Sequence, residues 1–340
     1  MSQRIKTAGM LRFLRFITYS RTVNLAKLLL SFFCSRLLRK PVHIGKPFAV
    51  SVEPGTACTL HCPECPTGAG LLNRPQGKVS LSLFREILDE LSPELTVLNL
   101  YLQGEPMLHP HFPEMVRIAS EKNIYTITST NGQNFSRTLA EELIENGLSE
   151  IYFSMDGTTQ ESYEKYRKGG ELGKVKDAIK TLAEVKLQKG KSNPLIVAQF
   201  IVFRHNEHEV DDFRKLAKEL GADRAEVKTA QFNEFSGNEV QPPVNGRYGR
   251  YADAGRLMLK GKSYNHCWKS WMSLVFTWDG TALPCCYDKD GEYSFGKYST
   301  GNFNDLWNGN KNQNFRSLVL RKKEGLSMCS NCPEGRNFFL

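Results

Sequence analysis

The sequence predicts an α/β protein: six strand–helix units forming a parallel sheet, curved into a full or partial barrel, followed by a small cysteine-rich C-terminal segment. Three observations carry this. From Pro47 onward, short β-rich runs alternate with amphipathic helical patterns. That rhythm stops near Asn233, where Gly237, Pro242, Pro243 and Gly246 punctuate the chain. Eight of the nine cysteines fall in two groups, at 58–65 and 267–332, a grouping that reads as metal ligation rather than as a disulfide framework.

The front of the chain is basic. Residues 1–52 hold ten Lys and Arg and no acidic residue, against a net charge of +9 for all 340 residues. The remainder is therefore close to neutral and gives no argument for nucleic acid as a partner. Within this front, Leu25, Leu28, Leu29, Phe32, Phe33 and Leu37 line one side of a helix, while Asn24, Lys27, Ser31 and Ser35 return on the other. The expectation is a brace docked by its Leu/Phe side. The alternative is peripheral attachment of residues 1–40 to an anionic membrane surface. No small-residue cleavage pattern follows, no run approaches the length of a spanning helix, and the clustered thiols need a reducing compartment, so the expected location is cytoplasmic or peripheral at the membrane surface. Cys34, alone among apolar residues, reads as a core hydrophobe.

The β-rich runs are 48–53, 96–102, 124–130, 150–156, 195–203 and 225–230, and helical patterns begin near Ser80, Phe112, Arg137, Gly173 and Glu207, the first with Ser at its cap. Barrels of this kind place their site at the C-terminal ends of the strands. The loop Ala57 to Gly68 follows the first run, Gln103 to Pro106 the second, Asn131-Gly132 the third and Asp156-Gly157 the fourth. Beyond the break, Asp279-Gly280 between two apolar runs signals a hairpin. The expected organisation is a basic helical segment at 1–46, the barrel at 47–232, a linker and helix at 233–262 and a cysteine-rich domain at 263–340.

Cys58, Cys62 and Cys65 sit within eight residues. Two thiols close a disulfide and four wrap a zinc ion, but three leave a metal centre one ligand short, which is where chemistry can occur. Zinc completed by His61, or simply buried thiols, are the plain alternatives.

These residues resemble the radical S-adenosylmethionine (SAM) enzymes. The C-x3-C-x2-C loop, the Gly-Glu-Pro after the second strand, the Ser-x-Asp-Gly after the fourth and the C-terminal cysteine pattern, which is similar to the SPASM or twitch extension, together span roughly 47–335. The resemblance implies a partial (β/α)6 TIM-like barrel with a small Cys-rich C-terminal iron-sulfur domain. It further implies that Cys58, Cys62 and Cys65 hold a 4Fe-4S cluster whose open iron is chelated by SAM. An electron then cleaves SAM to a 5′-deoxyadenosyl radical, which abstracts hydrogen from substrate. On the same resemblance, Gly104 and Glu105 receive the SAM amino group, Ser154 and Arg167 hold its carboxylate, and Asn131 reaches ribose. Gln103 and Glu64 depart from the family pattern, which has a glycine and commonly an aromatic residue at these places.

Cys267, Cys285, Cys286, Cys329 and Cys332 supply one full set of four with one to spare. A zinc ribbon fits the spacing; the resemblance implies an auxiliary 4Fe-4S cluster on Cys267, Cys285, Cys329 and Cys332. Cys285 is preferred over Cys286 because adjacent strand residues point to opposite faces and because the cysteine after proline is the family position. In sulfatase-maturing relatives an Asp directly follows that cysteine as a base; here Cys286 takes the place and Asp288 stands two residues on. The expected activity is radical modification of a peptide or protein, fed by a donor such as flavodoxin or ferredoxin. Oxidation or rearrangement of a small alcohol or sugar is the enzymatic alternative, and a zinc-stabilised, non-catalytic binding module is the alternative of another class.

Overall fold

The computed structural model describes residues 13–233, 239–253, 255 and 257–334. Arg4, Lys6 and Arg12 of the basic front lie outside the described residues. Helix α1 spans Tyr19–Leu38. The barrel then runs through β1 (Ala49–Val52), α2 (Leu81–Leu91), β2 (Val97–Asn99), α3 (Phe112–Glu121), β3 (Tyr125–Thr130), α4 (Arg137–Glu145), β4 (Glu150–Ser154), α5 (Gln160–Tyr166), α6 (Leu172–Gln188), β5 (Leu195–Val202), α7 (Val210–Glu219) and β6 (Arg224–Thr229). Each predicted strand and helix of the barrel is present, and α5 is an addition, a two-turn helix too short to leave a periodic signature. Ser80 caps α2 by accepting the backbone N–H of Leu83 at 3.2 Å, which satisfies one orphan donor of the first turn.

Strands β1 to β6 pair in sequence order, all parallel. Beyond β6 a short antiparallel pair, β7 (Tyr251–Asp253) and β8 (Met258–Leu259), stands where a helix was expected. Helix α8 (Lys269–Met272) leads into β9 (Ser273–Phe276), which joins the free edge of β1 in parallel, Ala49 opposite Ser273 and Val52 opposite Phe276. The hairpin at Gly280 then returns β10 (Thr281–Leu283) antiparallel to β9, and β11 (Gly296–Lys297) follows. One nine-stranded sheet, open at β6, therefore carries both halves of the chain. Helices α9 (Phe303–Asn308), α10 (Asn310–Lys322) and α11 (Ser327–Ser330) cover its C-terminal part.

Helix α1 lies across the N-terminal ends of the strands. Arg21 donates to the carbonyls of Ser92, Lys122 and Asn123, which terminate α2 and α3 just before β2 and β3. A guanidinium there meets the negative ends of two helix dipoles. The face expected to meet solvent is the one that packs. Asn24 exchanges two hydrogen bonds of 2.9 Å with the backbone of Lys46, Ser31 accepts the N–H of Ile44 and Ser35 the N–H of Val42. The physical reason is that segment 42–46 runs back along the helix with no strand partner, so its buried backbone groups need side-chain ones. Phe32 completes this face, edge-on to Trp268 and Trp271, and the indole N–H of Trp271 donates to Ser35. The expected Leu/Phe side is split: Leu28 and Phe32 are fully buried, whereas Phe33 is 48% and Leu37 83% exposed. Cys34 is only half-buried, on the same helix. No helix of the described residues is long and apolar enough to cross a membrane.

Two adjacent phenylalanines should therefore behave oppositely. Phe32→Ala is expected to cost about 3–5 kcal/mol in urea-induced unfolding, and Phe33→Ala no more than about 0.5 kcal/mol. Equal costs would contradict the buried polar face.

Candidate active site

The loop after β1 is folded by its own backbone. Cys65 N–H donates to the Cys62 carbonyl at 3.1 Å, Ala69 N–H to the Cys65 carbonyl at 2.8 Å, and Leu60 N–H approaches the Cys58 sulfur at 3.4 Å. The loop is then pinned from outside: His61 N–H donates to the carbonyl of Lys168, and the carbonyl of Ala57 accepts the N–H of Glu105 at 2.7 Å. That last bond demands Gly104. Its φ is +73°, and a Cβ there would stand 2.4 Å from the Gly55 carbonyl oxygen.

The three sulfurs border one cavity of about 150 Å³, and the same cavity is lined by Gly104, Glu105, Asn131, Ser154 and Arg167. Every residue of the first predicted site thus comes from the C-terminal ends of β1 to β4 or the turn after α5 and reaches a single place. Glu105 is buried. One carboxylate oxygen accepts Thr130 Oγ1 at 2.7 Å and Met107 N–H at 3.0 Å, the other Asn131 N–H at 2.7 Å. Burial raises its pKa against those hydrogen bonds, and a carboxylate retains capacity for a further donor. Asn131 turns its amide toward the Cys58 sulfur at 3.7 Å. Arg167 is no surface charge: it donates from Nε to Asp156 at 2.6 Å and points Nη1 at the Cys62 sulfur, 3.8 Å away. Burial opposes its charge, but Asp156 and Cys62 hold it firmly protonated.

Sequence reading missed several supports. Asp156, visible in the Ser-x-Asp-Gly motif, positions Arg167 and also accepts the N–H of Ile201 at 2.6 Å. Gln103, in place of the family glycine, accepts from Thr67 at 3.1 Å and lies 3.8 Å from the Cys65 sulfur. Glu64 accepts the N–H of Asn233 at 2.6 Å through one oxygen, tying the loop to the segment after β6, while its other oxygen is buried without a partner. Glu53, at the end of β1, accepts both terminal nitrogens of Arg74 and the N–H of Trp278. Arg74 donates onward to the Lys289 carbonyl at 2.6 Å.

The second cysteine set lies in the C-terminal part. Cys267 is the electrostatic neighbour of Cys285, Cys329 and Cys332, and Cys332 N–H donates to the Cys329 carbonyl at 3.2 Å. The alternation argument for Cys285 does not apply, because β10 ends at Leu283 and both cysteines sit in a turn where their thiols meet. Their surroundings differ all the same. Cys285 faces Cys267, whereas Cys286 is exposed and its thiolate is favoured by the bond from Cys285 and by Lys269 and Lys289. Asp288 is buried and spends its oxygens on the N–H groups of Glu292 and Tyr293, which makes it a turn clamp. A cavity of about 1140 Å³ runs past chain neighbours of both sets, bordered by Pro66 beside Cys65, Asn233, Tyr287, Lys289, Met328 and Asn331 among others.

The donor chemistry fits iron-sulfur clusters. Burial pushes the Cys62 thiol up to about 11, Cys332 to about 11 and Cys329 to about 12, so bare thiolates are disfavoured and a bound cationic centre is what would hold them deprotonated. Among the described residues no group of three or more His, Cys, Asp or Glu is arranged around one mononuclear ion.

A partial barrel whose mouth gathers three cysteines with Glu105 and Arg167, continued into a second segment with five more cysteines, is a frame suited to iron-sulfur chemistry. The Radical SAM superfamily model matches residues 52–223 and an iron-sulfur cluster-binding domain (SPASM) matches 267–333. The chain belongs to the Radical SAM superfamily; its cofactors are a 4Fe-4S cluster, SAM and an auxiliary iron-sulfur centre. It is 25% identical over 311 residues to the tungsten-containing aldehyde ferredoxin oxidoreductase cofactor-modifying protein of Pyrococcus furiosus, covering 83% of this chain and 86% of that one. It is 27% identical over 287 residues to the PqqA peptide cyclase of Ruegeria pomeroyi, covering 78% and 74%. The fold is shared with Streptococcus suis SuiB bound to SAM, with a TM-score of 0.63 at 14% identity over 86% of this chain and 73% of that one, and with SuiB bound to precursor peptide SuiA, TM-score 0.61.

Replacing Gly104 with Ala forces the Gln103–Glu105 turn off the Ala57 carbonyl. A loss of about 1–3 kcal/mol is expected, read by urea titration of the apoprotein; an unchanged midpoint would contradict the close approach.

Proposed function

We propose that this chain modifies a peptide by radical chemistry in the cavity lined by chain neighbours of its two cysteine sets. When bound, the first cluster and SAM supply a one-electron cleavage that delivers a hydrogen-abstracting 5′-deoxyadenosyl radical. Cys58, Cys62 and Cys65 are the ligands of that cluster. Gly104 and Glu105 take the ammonium of SAM, since a buried carboxylate with spare acceptor capacity matches a cation. Arg167 and Ser154 take its carboxylate, the guanidinium being held in place by Asp156. Asn131 contacts ribose from the end of β3. Cys267, Cys285, Cys329 and Cys332 hold the auxiliary cluster, and a full set of four thiolates suits electron transfer or structure. A flavodoxin or ferredoxin is the proposed source of the electron.

The observation that carries this reading is the size and placement of one cavity. Chain neighbours of both cysteine sets, Pro66 beside Cys65, Tyr287 beside Cys286 and Met328 beside Cys329, line one cavity of about 1140 Å³, whose volume exceeds the usual range for small-molecule pockets and admits a segment of chain. Lys289 lies in its wall; burial lowers its pKa, and the sulfurs of Cys65 and Cys286 oppose that shift. The peptide-directed names of the Ruegeria and Streptococcus proteins support the same substrate class.

Anaerobically prepared protein should hold about eight iron atoms per chain, from two cubanes. Changing Cys58, Cys62 and Cys65 together to Ala should halve the iron and abolish formation of 5′-deoxyadenosine; persistence of that product would sink the assignment. Cys285→Ala should remove the auxiliary iron signal from the Mössbauer spectrum while Cys286→Ala leaves it, and the reverse pattern would exchange the two roles.

A further inference from the structure

Helix α1 is both a brace and a surface, because its two sides do different work. The side carrying Asn24, Ser31, Phe32 and Ser35 is consumed by the strap 42–46 and by Trp271. The opposite side carries a second apolar stripe at helical spacing: Tyr19, Val23, Ala26, Leu30, Phe33 and Leu37. Tyr19 is 87%, Leu30 57% and Leu37 83% exposed. Lys27 flanks the stripe, Arg39 and Lys40 close it, and all three are exposed. Nothing acidic precedes Glu53 in the sequence.

We infer that this outward face is an interfacial docking surface for an anionic lipid bilayer, the stripe entering the headgroup boundary and the flanking cations meeting lipid phosphates and carboxylates. Charge chooses the lipid over a second copy: exposed Lys27, Arg39 and Lys40 flank and close the stripe and α1 itself carries no acidic residue, so two such faces repel each other while an anionic leaflet attracts them. The placement suits the reaction. Because α1 crosses the N-terminal ends of the strands and the cysteine loops leave the C-terminal ends, a bilayer under α1 leaves the mouth of the barrel turned away from the membrane. The inference is independent of which substrate the cavity takes.

The test uses the full-length, cluster-loaded protein and vesicles of phosphatidylcholine, with or without phosphatidylserine at about one part in three. Cosedimentation is expected with the anionic vesicles only, weakening as salt is raised. The triple variant Leu30→Asp, Phe33→Asp, Leu37→Asp should lower partitioning by about tenfold or more while its unfolding midpoint stays near that of the parent, since none of these side chains is in the core. Absence of cosedimentation with anionic vesicles, or binding that the triple variant leaves intact, would overturn the inference. So would a concentration-dependent dimer in sedimentation velocity that the variant dissolves, which would make a second copy the occupant. SAM cleavage, followed separately, reports on the proposed function alone: its absence in the parent protein would remove that reading and leave the vesicle result standing.

Discussion

One buried carboxylate joins the parts of this molecule. Glu53, fully enclosed at the end of β1, is gripped by both terminal nitrogens of Arg74 and by the backbone of Trp278. Arg74 comes from the return of the cysteine loop and Trp278 from the β9–β10 turn, so three segments distant in sequence meet on two oxygens. Removing one partner of such a pair leaves an uncompensated buried charge, at about 3–5 kcal/mol. The geometry that follows is the separation of the two cysteine sets. Arg74 reaches the carbonyl of Lys289, Asn73 donates to Asp290 at 2.8 Å, and the indole of Trp278 donates to the Pro75 carbonyl at 2.9 Å. The wall between the two sites is thus built from hydrogen bonds that each begin in one half and end in the other.

The first site is organised before any cofactor enters. Glu105 is oriented by three donors and Arg167 by Asp156, which is itself fixed by the backbone of β5. Binding then orders few side chains, and the binding energy is available for placing reacting atoms. The same economy explains the departures from the family pattern. Gln103 uses the space of a missing glycine to brace Thr67, and Glu64 replaces aromatic packing with a tie to Asn233.

The barrel was legible because alternating apolar runs and helical periods report local burial, and each predicted run became a strand. Seven of the eight residues of the first site were legible as motifs at strand ends, and Arg167, in the turn after α5, followed from the family resemblance. What escaped has a common physical character. The pairing of β9 with β1 joins segments more than two hundred positions apart, and no period records a partner. The buried side of α1 was misread because Asn24, Ser31 and Ser35 look solvent-seeking until the strap that needs their hydrogen bonds is in place. Cys285 and Cys286 were assigned by strand geometry to a place where the strand has already ended. Asp156 was in plain view, but its hold on Arg167 depends on α5, two turns long.

The parallel pairing of β9 against β1 also settles what the C-terminal segment is worth to the barrel. Val50 and Val52 are fully buried and β1 bonds on both sides, so the first strand of the barrel has no exposed edge as long as the last third of the chain is folded. Without it, a short, apolar ladder of unpaired N–H and C=O groups would open beside the cysteine loop, a ready template for strand addition from another chain. The auxiliary segment is in this sense a hem as well as a cofactor carrier, closing the raw margin of the sheet on which the first site is built.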